Sequence, residues 1–376
     1  MIDTSKGYYI VGDRAFYLKY DAMVHSTSTH LPIQWNFNYA TFAKHAALPR
    51  RYTPILDLYK RRAQQLRDTY DYVILAYSGG ADSQTILDAF LDNNIKLDEI
   101  WVDHQADMLE KSNYVLSTDT SAINLPSEWF LVIKPKLDEL HRTHPSIKIH
   151  VSDACSSLMF DDNPAEIADA ALNLGYTASY HGLKRWRYVA NYARKQQDRY
   201  KSVCVLMGME KCIPHLNDQM QYGFMFTDAP LFFKSELLEY FYWSPDMPEL
   251  VVEQAQQVWD YLKVNRVLLT DILTHKSQSP ATWFLDRKTS FDSVVKRVTY
   301  PNWNQSTHQV DKQTIFNGEG GGYYTEFFRS EPFYDKWLSN RMASLSLINL
   351  QSNFHRVGAL YDINRHTNIH ILGTLK

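Results

Sequence analysis

The sequence predicts an α/β fold: a doubly wound, mostly parallel sheet, preceded by a small β-containing extension and followed by a mainly helical accessory region. Three observations carry that expectation. Short, largely apolar runs at 71–77, 99–103 and 203–207 suit strands covered on both faces, and a further strand candidate lies at 147–151. Stretches with helical periodicity separate them. A tight glycine turn joins the first run to its helix and completes a strand–turn–helix–strand unit between 71 and 103.

The elements follow in order. Residues 7–20 open as two short strands around Gly12-Asp13. Asp57 to Tyr70 is a helix, with Leu58, Ala63 and Leu66 on one side and the basic run Lys60-Arg61-Arg62 beside them. Asp71 to Tyr77 is the first buried strand, Thr85 to Asp92 the helix after its turn, and Glu99 to Asp103 the second strand. Lys134 to His144 is helical and leads into the strand Ile147 to Val151. Ala165 to Leu174 and Leu183 to Gln197 are helical, and Val203 to Met207 is the fourth strand, ending at Gly208. This places a central domain at 55–230, between an extension at 1–54 and a C-terminal region at 231–376. In the last, Met247 to Val264 is a long amphipathic helix, and residues 359–373 resemble a terminal hairpin around Asn364-Arg365-His366-Thr367. The run Gly318-Glu319-Gly320-Gly321-Gly322 reads as a loop, with a lid over substrate as the functional alternative.

Composition sets bounds on function. The 376 residues, 45% hydrophobic, suffice for a large core and exceed the usual size of one domain. Lysine and arginine total 39 against 42 acidic residues, a net charge of −3, which excludes a polyanion binder working through overall basicity. No run approaches the length of a membrane span, and Met1 to Lys6 lacks the layout of a signal peptide. Cys155, Cys204 and Cys212 are too few for a disulfide framework, so a reducing cytoplasm is the expected location. Aromatic residues make up 14%, with 25 tyrosines: a rigid core, or stacking platforms for bases. The histidines, His141 and His144 included, form no metal-ligand pattern.

The turn carries the chemistry. In Ser78-Gly79-Gly80-Ala81-Asp82-Ser83 the two glycines remove the Cβ atoms that would stop phosphate oxygens approaching the backbone. The turn gathers N–H groups into an anion nest at the positive end of the following helix. Ser78 and Ser83 add hydroxyls, and Ser83 also falls where the first helical turn needs a partner. A carboxylate facing a polyphosphate repels it unless a cation lies between, so Asp82 implies bridging Mg²⁺. No Gly-Lys-Ser/Thr follows the glycines, which excludes a Walker A loop.

The six residues, placed after a buried strand, resemble the SGGxDS loop of the PP-loop superfamily, the N-type ATP pyrophosphatases and their relatives. The chain as a whole is similar to phage proteins labelled PAPS reductase-like. The resemblance implies a Rossmann-like fold of PP-loop type, with Ala76, Tyr77, Ser78, Gly79, Gly80, Asp82 and Ser83 around the phosphates of ATP. It implies cleavage between the α and β phosphates: an acceptor oxygen is adenylated, pyrophosphate leaves in the loop, and a nucleophile displaces AMP. Asp103 or His104, at the end of the second strand, then borders ribose or base. Gly208 marks the fourth strand's end, and Glu210 or Lys211 faces the phosphates, with Lys211 neutralising the α-phosphate. One of Lys184, Arg185 and Arg187 meets a phosphate; Asp82, Lys211 and Arg185 form the expected catalytic set.

Absences narrow the class. No cysteine follows Cys212, so the C-terminal thiol of true PAPS reductases is missing. No Cys-x-x-Cys pair fits an iron–sulfur thiolase, and Ile2 excludes an N-terminal cysteine glutaminase. The leading expectation is an ATP- and Mg²⁺-dependent adenylating enzyme with a small-molecule or nucleobase acceptor and a nitrogen nucleophile. The alternatives are a sulfonucleotide reductase or sulfur transferase using Cys155 or Cys212, and a non-catalytic nucleotide binder. Basic clusters at 60–62 and 184–187 leave a nucleic-acid substrate open, as is a homodimer.

Overall fold

The structure is a computed structural model that describes residues 6–16, 19–103, 129–152, 189, 191–208, 211–227, 237–276, 291–302, 363–364 and 367–375. His104, Cys155, Lys184, Arg185, Arg187, Glu210 and the Gly318–Gly322 run lie outside these residues.

Among the described residues, five parallel strands form the central sheet. In chain order they are β4 (Tyr72–Ala76), β5 (Glu99–Asp103), β6 (Lys148–Ser152), β7 (Val203–Met207) and β10 (Leu238–Tyr240). In space they run β10-β7-β4-β5-β6. Strand order therefore reverses between β4 and β7, the neighbours whose carboxyl ends frame the crevice where open α/β sheets bind ligands. The fifth strand, β10, comes from beyond residue 230 and extends a sheet for which the sequence pattern supplied four strands.

Both faces of the sheet are covered at β4, β5 and β7, which is why those strands lack alternation. On one face Val73, Leu75, Ile100, Cys204 and Leu206 join a large core with Leu58, Leu66, Ile86, Phe90, Leu250 and Trp259. Those partners lie on α3 (Ile55–Thr69), α4 (Ala81–Leu91) and α6 (Glu249–Val264). On the other face Ile74, Trp101, Val203 and Val205 pack with Val189 and Ala193, and residues 191–196 are helical. The α/β sheet flanked by helices is as the apolar runs predict. Between β5 and β6 lie a π-helical turn, Trp129–Ile133, and α5 (Lys134–Thr143).

Smaller sheets surround this unit. β1 (Tyr8–Val11) and β2 (Arg14–Phe16) form the expected hairpin, and β3 (Ile33–Asn36) pairs with β1. β8 (Ile213–Leu216), β9 (Gln221–Met225) and β12 (His370–Thr374) form an antiparallel sheet. The expected terminal hairpin at 359–373 is wrong. β11 (Ile363–Asn364) pairs parallel to β3, while β12 pairs with β9. Each of these short strands completes a different sheet edge, so neither pairs with the other. Among the described residues, no helix is long and apolar enough to cross a membrane.

Candidate functional site

β4 ends at Ala76, whose backbone pairs with Trp101 on one side and Met207 on the other. The next residue belongs to the core: Tyr77 is buried, its amide donates to the Trp101 carbonyl and its hydroxyl to Gln84 Oε1 at 2.6 Å. The chain then turns through Ser78, Gly79 and Gly80 into α4. Gly79 sits at φ +73°, in the left-handed region, and a Cβ there would lie 2.7 Å from Ile133 Cγ1. Gly80 takes the N-cap position in an extended conformation, and no side chain caps the helix.

Ser83 closes the loop on itself. Its hydroxyl donates to the Gly80 carbonyl at 3.1 Å, accepts the Ser78 amide at 3.2 Å and lies 3.2 Å from the Ser78 hydroxyl. It braces the turn, so its oxygen is engaged internally and not simply offered to a ligand. The amides of Gly79, Gly80, Ala81, Asp82 and Ser83 donate no hydrogen bond among the described residues. Gathered at the positive end of α4, they are suited to an anion.

Gly208, just past β7, lies against this turn. A Cβ on it would be 2.6 Å from Ser83 N and 2.8 Å from the Asp82 carbonyl carbon. The missing side chain lets the end of β7 meet the head of α4. Three residues on, Lys211 donates to both Asp82 oxygens at 3.1 and 3.2 Å, with the two side chains 17% and 21% exposed. Asp82 and Lys211, 129 positions apart, are thus brought together beside the loop.

Two aromatic segments that the sequence reading did not single out complete the surroundings. The Tyr300 hydroxyl donates to Asp82 Oδ1 at 2.6 Å, and the Tyr242 hydroxyl donates to the Asp82 main-chain oxygen at 2.9 Å. Trp243 Nε1 donates to the Lys211 carbonyl at 2.9 Å. Burial, reinforced by the Asp82 charge, pushes the Tyr300 phenol well above its ordinary range. It therefore stays a protonated donor at neutral pH. Tyr300 follows α8 (Phe291–Thr299), and no local pattern links residue 300 to residue 82.

The remaining expected positions separate. Asp103 ends β5 at the same carboxyl edge, with its backbone in register with Ser152. Of the basic run at 60–62, Arg62 is buried against Glu239 and the Tyr240 carbonyl, and Arg61 pairs with Glu249. Arg62 is thus structural, whereas Arg61, though paired, keeps its side chain 57% exposed. Cys204 and Cys212 are buried, and burial pushes the Cys204 thiol up, so neither supports thiol chemistry at an open site.

For a metal, the donor set is one carboxylate. Among the described residues, no group of three or more His, Cys, Asp and Glu side chains could hold an ion. Asp82 alone fits Mg²⁺ that arrives on phosphate oxygens and keeps most of its waters; it does not fit a metal resident in the protein. The sequence matches no protein-family model and no curated protein.

Proposed function

We propose that the chain is a Mg²⁺-dependent adenylating enzyme of PP-loop type, on a Rossmann-like fold, which splits ATP between its α and β phosphates. One observation carries the reading: a glycine turn with five uncommitted amides heads α4 at the β4–β7 reversal, beside a paired Asp82 and Lys211. Few uses other than phosphate recognition suit amides so placed, with a cation alongside and the crevice beyond.

In this reading the amides of Gly79 to Ser83 hold the departing pyrophosphate, whose charge grows as the α–β bond breaks. Lys211 exchanges one Asp82 oxygen for an α-phosphate oxygen and offsets charge there. Asp82 would hold the Mg²⁺ that arrives with the nucleotide, and that ion would neutralise charge across the phosphates. Asp103, at the adjoining strand end, borders the nucleoside. Arg185, Lys184 and His104 keep their expected phosphate and nucleoside roles within the proposal. The acceptor is a small molecule or nucleobase whose oxygen attacks the α-phosphate and displaces pyrophosphate, after which a nitrogen nucleophile attacks the adenylated acceptor and AMP leaves.

The test is incubation of the full chain with ATP and Mg²⁺ against a metabolite and nucleic-acid panel, followed by mass spectrometry. AMP and pyrophosphate with an acceptor are expected. ADP and phosphate would overturn the α–β assignment, and nucleotide binding without turnover would leave a binding protein.

A further inference from the structure

We propose that Tyr300 is a positioning residue: it holds the Asp82 carboxylate away from the amides at the head of α4 and so keeps that nest available to phosphate. The proposal rests on the phosphate-binding reading above and adds a residue from outside the loop to it.

Asp82 is the second residue of α4. A carboxylate there has an obvious alternative partner, its own helix's first amides, which attract negative charge through both hydrogen bonding and the helix dipole. It does not take that option: among the described residues the hydrogen bonds to its oxygens come from Tyr300, which donates to Oδ1 at 2.6 Å, and Lys211, which donates to both. Were the carboxylate to swing onto the amides, it would occupy them and repel the incoming anion.

Tyr300 is itself rigidly held. It is 3% exposed, and its ring stacks on Tyr242 with centroids 5.8 Å apart and planes 29° apart. The preceding carbonyl, of Thr299, accepts the Tyr59 hydroxyl at 2.8 Å, and Gln254 Nε2 donates to that same hydroxyl at 3.0 Å. Two residues on, Asn302 Nδ2 donates to Asp88 Oδ2 at 3.2 Å. The segment is thus tied to α4 at Asp82 and again further along the helix at Asp88. Its backbone is anchored independently through α3 and α6, so the Tyr300 hydroxyl is a fixed point to which the carboxylate is drawn.

The test titrates inorganic pyrophosphate into the full chain by calorimetry, in EDTA so that no metal contributes. Tyr300→Phe is expected to raise the Kd about tenfold. Asp82→Ala is expected to bind at least as tightly as the wild type, and adding Asp82→Ala to Tyr300→Phe is expected to restore wild-type affinity. That rescue separates positioning from a structural role, because damage to packing would persist in the double variant. If a melting curve shows that Tyr300→Phe is not folded, Tyr300→Met makes the same comparison. An unchanged Kd in the single variant, or a loss that Asp82→Ala fails to rescue, would overturn the role of Tyr300. A wild-type chain that binds no pyrophosphate would instead overturn the phosphate-site reading underneath.

Discussion

Gly208, at the end of β7, approaches Ser83, in the first turn of α4, so closely that a methyl group on it would sit 2.6 Å from the Ser83 nitrogen. The obstructing atoms are backbone, in a close-packed region where neither element gives way easily. Gly208→Ala is therefore expected to displace the helix head, lowering stability by about 1–3 kcal/mol, and to weaken pyrophosphate binding more than tenfold. Thermal melting and calorimetric titration measure the two effects, and normal affinity in a folded variant would count against the nest.

Gly79 presents two separate obstacles to a side chain: a φ of +73° and a contact of 2.7 Å with Ile133 Cγ1. Gly79→Ala is expected to cost about 1–2 kcal/mol from backbone strain alone, with the contact adding to it. Ile133→Ala in the same chain removes that Cγ1 and should relieve only the contact, its own packing loss being read from the single variant. Denaturant unfolding of both variants and the pair is the check, and complete recovery in the pair would mean that φ contributes nothing.

Asp82→Asn preserves the shape of the side chain and its contact with Tyr300 but removes the charge that Lys211 pairs with and that the proposed Mg²⁺ would meet. The variant is expected to fold normally and to lose at least about a hundredfold in Mg²⁺-dependent turnover. Circular dichroism and AMP release, measured over a magnesium titration, decide it. Equal rates would put the metal elsewhere.

His370 is buried among Tyr39, Phe42, Phe224 and Phe226, and neither ring nitrogen has a hydrogen-bond partner among the described residues. Burial lowers its pKa from 6.5 to about 4. Below pH 6.5 the unfolded chain takes up a proton that the folded chain refuses, so this stability is complete above pH 6.5. It falls away towards pH 4, by about 3 kcal/mol in all. His370→Phe should flatten the stability profile across that window; an equally steep profile in urea melts at pH 7, 5.5 and 4.5 would contradict it.

Much of this architecture was legible locally. β4, β5 and β7 announce themselves because strands covered on both faces are largely apolar, and Gly79 and Gly80 stand out because a glycine pair between a buried strand and a helix marks a tight turn. Lys211 could be anticipated from its place after the fourth strand. Other parts rest on non-local causes. β8 and β9 contain Pro214 and Gly223, residues that argue against strands, yet Gly223 is required because β12 passes so close that a Cβ would strike the His370 carbonyl. Arg62 reads as part of an exposed basic run, but Glu239 draws it inward. Tyr242 and Tyr300 look like two more aromatics in an aromatic-rich chain; only the tertiary structure brings both to Asp82.

That last arrangement constrains how the protein is made. Asp82 and Tyr300 lie 218 positions apart, and β10 joins the sheet only after residue 237. During synthesis, β4 and its loop emerge long before the tyrosine that hydrogen-bonds to Asp82. A fragment stopping at residue 230 would contain every motif residue from 78 to 83 and still leave β7 with a bare edge and Asp82 without its hydroxyl partner. The surroundings of the loop are thus completed late, when Tyr300 and the strand β10 have closed on a segment encoded in the first quarter.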